Sequence, residues 1–172
     1  MLNVTRLLAL PILLLGCDTK PPEKNPNAPF RVLFETTEGN FTVEARPEWA
    51  PKGASRFRSL VEEGYYDDTR IFRVLRSPRK FVAQFGISGN PKTAAKWRQK
   101  VILDDPVSQT NKRGTITFAT SGANSRTTQV FINYGDNGSL DERGFAPFGF
   151  VTEGMSVVDR FYSGYGDRAS KN

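Results

Sequence analysis

Apolar and polar residues alternate with a period of two over several short stretches, the pattern of strands with one buried face. Residues 31–37 and 40–46 form two such stretches around Thr37-Glu38-Gly39-Asn40, a hairpin signal. In the second, Phe41, Val43 and Ala45 take one face. Residues 72–75, 81–85, 115–119, 129–133 and 148–151 read as further strands. Two stretches change to the helical period. Ala50-Pro51 opens a helix running to about Glu63, with Ala54, Phe57, Leu60 and Val61 as its apolar stripe and Gly64 as its stop. Residues 155–162 form a shorter one, with Met155, Val158 and Phe161 on one side. Tyr65-Tyr66 is expected to pack beneath the first helix. Residues 87–112 read as a long polar loop, with turns at Gly89-Asn90-Pro91 and Asp104-Asp105-Pro106 and with Trp97 as its anchor. The pattern predicts a mainly β fold with two helices in a single domain.

Within this pattern one residue is out of place. In FRVLRSPRKFVAQFG, residues 72–86, Arg73 shares a strand face with Ile71 and Leu75, while Phe72 and Val74 point the other way. An arginine on an apolar face either snorkels to water or has partners and a task. In residues 129–133, Gln129, Phe131 and Asn133 share one face and Val130 and Ile132 the other. Phe131 alone suits a core or a pocket equally; Gln129 beside it favours the pocket.

Composition narrows the chemistry. The 172 residues contain no histidine and one cysteine. Ser-His-Asp and Cys-His catalysis are excluded, as are intramolecular disulfides and the common His or multi-Cys metal sites. Arginine, carboxylates, amides and backbone must supply any reactivity. Asp104 and Asp105 invite reading as an acid–base pair, but Asp before Pro is a common turn former. The net charge of +6 is scattered among acids, with no basic run and interleaved aromatics, so a nucleic-acid partner is not expected.

The amino terminus is patterned differently. Arg6 precedes an apolar run, residues 7–15, too short to span a bilayer. It ends in Leu14-Leu15-Gly16-Cys17, which resembles a bacterial lipobox. Residues 1–16 are then a lipoprotein signal peptide, Cys17 is the lipidated residue, and residues 17–29 are a proline-rich tether to a domain over residues 30–172. Asp18 fits inner-membrane retention in some families. These features place the domain at the cell envelope, bound to a membrane through Cys17.

Two segments carry a family resemblance. FRV…FVAQFG supplies an arginine motif and an F-x-x-Q-x-G element. RGTITFATSGANSRTTQVFIN, residues 113–133, supplies A-x-x-G-x-N-x-x-x-x-Q-x-F-I. In this order they resemble the cyclophilin family of peptidyl-prolyl isomerases, over about residues 31–166. The resemblance implies a closed antiparallel β-barrel capped by two α-helices. The family's last strand, which closes the barrel beside the first, is missing here, so either the sequence is truncated or the edge of residues 31–37 is protected another way. It also implies a cofactor-free isomerase acting as a monomer on proline-containing polypeptides. Arg73 would be the catalytic residue. Phe81, Val82, Phe131, Leu140 and Phe145 would line the proline pocket, Gln84 would bond the substrate backbone, and Thr120 would offer its own backbone. Ala119, Ser121 and Gln129 would border the adjoining pocket. Phe72 and Phe145 stand where the family often has histidine, and about Ser139 where eukaryotic members have the tryptophan that contributes to cyclosporin binding.

The leading expectation is thus a membrane-tethered folding catalyst for X–Pro bonds of exported chains. The alternative is a non-catalytic module that keeps the proline groove. A third class, a lipid-anchored β-barrel carrying a small apolar ligand, fits poorly with the arginine, the helices and the polar loop.

Overall fold

The computed structural model describes residues 25–167 and the backbone of residues 2–5. Cys17 and most of the expected tether lie outside the described residues. Eight strands make one antiparallel sheet: β1 (Leu2–Thr5), β2 (Phe30–Thr36), β3 (Gly39–Ala45), β4 (Arg73–Val74), β5 (Val82–Phe85), β6 (Thr115–Phe118), β7 (Val130–Asn133) and β8 (Pro147–Glu153). Their order is β1-β2-β3-β8-β6-β7-β5-β4. The expected barrel does not close by hydrogen bonding. No ladder joins β4 to β1 or β2, and the seven strands from β2 onward form a curled half-barrel. Register shifts at Thr42/Val43 and Ile116/Thr117, on either side of β8, add to the twist. In the full chain the outer edge of β2 is paired, because Leu2–Thr5 lies against it in the register Leu2↔Thr36 to Thr5↔Leu33; removal of residues 1–16 as a signal peptide would uncover that edge.

The β2–β3 hairpin places Phe34 opposite Phe41 with rings stacked at 4.9 Å. Helix α1 (Pro51–Glu62) lays Ala54, Phe57 and Leu60 onto the sheet, where Phe57 meets Phe148 at 5.0 Å and Phe148 meets Phe118 at 5.0 Å. At Gly149 a side chain would lie 2.3 Å from the Glu44 carbonyl oxygen, so glycine permits β3 and β8 to approach here. Tyr65 and Tyr66 lie beneath α1 as expected, both buried. The Tyr66 hydroxyl donates to the Thr128 carbonyl at 3.0 Å and the Tyr65 hydroxyl to Thr128 Oγ1 at 3.1 Å. Burial pushes the Tyr66 hydroxyl well above its ordinary pKa, so it stays a neutral donor.

The polar stretch 87–112 departs from its expected loop character, because it contains helix α2 (Pro91–Arg98). The Asn90 side chain accepts from the N–H groups of Lys92 and Thr93, and Pro91 takes the first turn. The same Asn-Pro pair that reads as a turn is here a helix start. Trp97 is buried against Tyr65, edge to face at 5.8 Å, as its anchoring role required. The last helix, α3 (Met155–Val158), is one turn rather than eight residues. The carbonyls at and beyond its end are taken by other groups: Tyr134 donates to Val158, and the Arg76 guanidinium to Asp159 and Phe161.

Asp105 is structural. Its carboxylate accepts from the N–H groups of Lys52 and Gly53 at 3.1 and 2.8 Å, capping α1, whose own N-cap residue Ala50 offers no side-chain acceptor. Arg126, also buried, bonds Asp105 at 3.1 Å and pairs with Asp104 at 3.1 Å. Asp105→Ala is expected to lower unfolding stability by about 3–5 kcal/mol, since it strands a buried guanidinium and uncaps the helix. Urea unfolding would measure this. A loss under about 1 kcal/mol would mean that Asp104 suffices for Arg126.

Candidate active site

The strands β4, β5 and β7 are neighbours, with Arg73 opposite Gln84 and Gln84 opposite Phe131. This register brings residues distant in sequence into one row on one face of the sheet. The other face of the same strands supplies Val74, Ala83, Val130 and Ile132 to the main core. Arg73 and Phe131 thus face away from the core residues Val74, Val130 and Ile132 as expected, but Ile71, expected on the Arg73 face, packs against the main core, because the strand covers only Arg73–Val74 and its alternation does not extend back to Ile71. Asn133, by contrast, is fully buried in a polar network and does not open to solvent.

The row is held by amides. Arg73 Nη1 donates to Gln84 Oε1 at 3.1 Å, and Gln84 Nε2 donates to Gln129 Oε1 at 2.9 Å. Arg73 Nε donates to Asp167 Oδ1 at 2.5 Å, an ion pair with a residue near the end of the described chain. The Arg73 side chain is 21% exposed, half-sheltered rather than snorkelling freely. β5 ends at Gly86, with φ +101°. A side chain there would stand 2.5 Å from the Thr128 carbonyl oxygen, so glycine keeps the strand end close to the segment carrying Gln129.

Beside this row lies a cavity of about 300 Å³. Val82, Phe131 and Leu140 form its buried floor, and Phe81, Ala119 and Phe145 pack against them as a small apolar cluster apart from the main core. Phe131 and Phe145 meet edge to face at 5.8 Å. Arg73 and Gln84 give the cavity one polar wall, and Thr120 and Arg143 lie at its rim. Arg143 stands over the Phe145 ring at 5.5 Å and Arg79 over the Phe81 ring at 5.6 Å, so the mouth is cationic. Of the residues expected at the site, Ser121 and Gln129 do not line this cavity. Gln129 acts on it through Gln84. Ser121 is exposed, and its backbone N–H donates to Ser125 Oγ at 2.9 Å.

The two apolar walls are joined by buried asparagines. Asn137 donates to the Phe81 carbonyl at 2.9 Å and to Asn133 Oδ1 at 2.8 Å. Asn133 in turn donates to Asn111 Oδ1 at 3.1 Å. Asn111 donates to the Phe145 carbonyl and to Asp141 Oδ1, both at 2.7 Å. Leu140 sits between these contacts on a single 3-10 turn, Gly138–Leu140. Sequence reading missed Arg143 and this network. Three asparagines at or between predicted strands, where strands disfavour them, were the available signal.

The arrangement offers a permanently charged donor, fixed by side-chain partners, at the edge of an apolar cavity. It can bind an apolar ring and donate hydrogen bonds to polar atoms beside it, and it needs no group that titrates near neutrality.

Residues 31–172 match the family described as cyclophilin type peptidyl-prolyl cis-trans isomerase/CLD. The chain is 33% identical over 160 residues to peptidyl-prolyl cis-trans isomerase A of Dickeya dadantii, covering 90% of this chain and 83% of that protein. It is 35% identical over 134 residues to a peptidyl-prolyl cis-trans isomerase of Acinetobacter baylyi, covering 75% and 70%. In fold it resembles a cyclophilin type peptidyl-prolyl cis-trans isomerase of Cryptosporidium parvum, solved in the presence of the dipeptide Ala-Pro. That likeness has a TM-score of 0.63 at 22% identity and covers 75% of this chain and 82% of the other. With the motifs in order and the fold in agreement, the chain belongs to the cyclophilin-type peptidyl-prolyl cis-trans isomerase family.

Proposed function

We propose that the cavity holds the proline ring of a polypeptide and that Arg73 catalyses rotation about the preceding peptide bond. The observation that carries this reading is the Arg73 guanidinium, sheltered and held by Gln84, at the edge of the apolar cluster of Val82, Phe131 and Leu140. Amide resonance sets a barrier of about 18–20 kcal/mol to rotation. As the bond twists, resonance is lost and the proline nitrogen becomes pyramidal, gaining a lone pair that can accept a hydrogen bond. A fixed guanidinium donates to that nitrogen and can hold a neighbouring carbonyl, so the twisted state is favoured over both planar forms. No covalent intermediate and no proton transfer are required.

The other roles follow from position. Phe81, Val82, Phe131, Leu140 and Phe145 select the ring by shape and apolar burial. Gln84 bonds the substrate backbone as well as Arg73, and Thr120 presents backbone groups at the rim. Ala119, Ser121 and Gln129 border the site for the residue before proline. A module that merely binds proline would not need a guanidinium held in place, and this favours turnover over binding alone.

The proposed setting is the cell envelope, with the domain working as a monomer on exported chains and tethered through lipidated Cys17. Its support is Leu14-Leu15-Gly16-Cys17 followed by a proline-rich segment, with the family match beginning only at residue 31. Loss of cysteine lipidation in Cys17→Ser is expected to move the protein from the membrane to the soluble fraction or to leave it uncleaved. Correct processing with unchanged membrane retention would count against the anchor.

For the chemistry, Arg73→Ala is expected to reduce turnover by about 10²–10³-fold, the usual loss on removing one preorganised donor. Exchange NMR on a short proline peptide would read this, with circular dichroism unchanged. Full activity in a folded Arg73→Ala protein would remove Arg73 from the mechanism. Leu140→Ala should instead act on binding, raising KM by about tenfold through lost apolar contact with the ring.

A further inference from the structure

We infer that Asp167 is a positioning residue for Arg73, holding the guanidinium in its working orientation from the far end of the chain. The inference rests on the reading of Arg73 as the donor to the twisting bond. A guanidinium has three nitrogens in one rigid plane. In Arg73, Nη1 is engaged by Gln84 and Nε by the Asp167 carboxylate, two different corners of that plane. Two engaged corners fix both the position and the rotation of the fork. Nη2 makes no hydrogen bond to the described residues, so it is the nitrogen left to meet a ligand in the cavity that Arg73 lines. Gln84 alone would leave the guanidinium free to turn about a single hydrogen bond.

Asp167 does not reach Arg73 by chance of a loose end. The segment before it is gathered by Arg76, three residues beyond Arg73 in the same stretch. Arg76 donates to the carbonyls of Asp159 and Phe161, and to Ser163 Oγ at 3.2 Å. Tyr162 and Tyr165 then pack edge to face at 5.1 Å. The stretch that presents the donor thus also docks the segment that orients it. Preorganisation matters more than affinity here, because the donor must already be aimed when the amide twists. Asp167 is not among the residues that line the cavity, so its effect on the twisting bond runs through Arg73.

The test uses the full chain with Asp167→Ala, Asp167→Asn and Arg73→Ala beside wild type, each first checked for folding by circular dichroism. Asp167→Ala is expected to lower kcat about five- to tenfold with KM changed less than about twofold, the size of one charge-assisted hydrogen bond that is half exposed. Asp167→Asn, which keeps an acceptor, should recover part of the loss. The Nε–H resonance of Arg73 should be slow to exchange in wild type and lost to rapid exchange in Asp167→Ala. Unchanged kcat in both Asp167 variants, with Arg73→Ala inactive, would overturn this inference and leave the role of Arg73 standing. A raised kcat/KM in Asp167→Ala would also overturn it, since the carboxylate would then be competing with substrate. An active Arg73→Ala protein would instead overturn the reading of Arg73 on which the inference depends.

Discussion

A guanidinium half-sheltered on a sheet face needs partners, and much of the site follows from meeting that need. Arg73 could not rest beside an apolar cavity unpaired without a heavy desolvation cost. Gln84 meets it because β4 and β5 run antiparallel with these two residues opposite each other. Gln84 must then satisfy its own amide, which it does on Gln129. Gln129 lies where it does because Gly86 lets the end of β5 come against Thr128, and Thr128 is held from below by Tyr65 and Tyr66. A chain of single contacts thus connects the donor to the helix packed on the opposite side of the sheet.

The apolar part of the site obeys a different rule. Val82, Phe131 and Leu140 gain from being buried, yet with the surrounding phenylalanines they must leave a hollow rather than collapse into it. What keeps the walls apart is polar. The amides of Asn111, Asn133 and Asn137 bind backbone carbonyls of both Phe81 and Phe145, so neither wall can move toward the other without breaking buried hydrogen bonds. Hydrophobic packing alone favours filling the space, as it does in the main core around Phe57, Phe118 and Phe148.

Residues whose role depends on alternation were legible in the sequence. Arg73 and Phe131 could be assigned a face, and Val74, Val130 and Ile132 the other, from spacing alone. The family resemblance added Gln84, Phe81, Leu140, Phe145 and Ala119, which lie together at the cavity. What stayed hidden depends on distances between residues remote in sequence. Nothing local marks Asp105 as the cap of a helix that begins 54 residues earlier in the chain, or Asn111 as the brace of a loop 30 residues on. Helix α2 was masked by chemistry shared between turns and helix starts, since Asn90-Pro91 serves either. Helix α3 was overestimated because periodicity does not reveal that Arg76 will take the carbonyls needed to continue it. The unclosed sheet and the covered edge of β2 belong to the same class, as strand order is not written in any one stretch.

The absence of histidine bears on more than the choice of mechanism. The row that faces the cavity, Arg73, Gln84 and Phe131, holds no imidazole, the side chain whose charge ordinarily changes between about pH 5 and 8. A surface built this way does not switch when its surroundings acidify or turn alkaline by a unit or two. A groove of this composition carries no built-in sensor of acidity, wherever the protein resides.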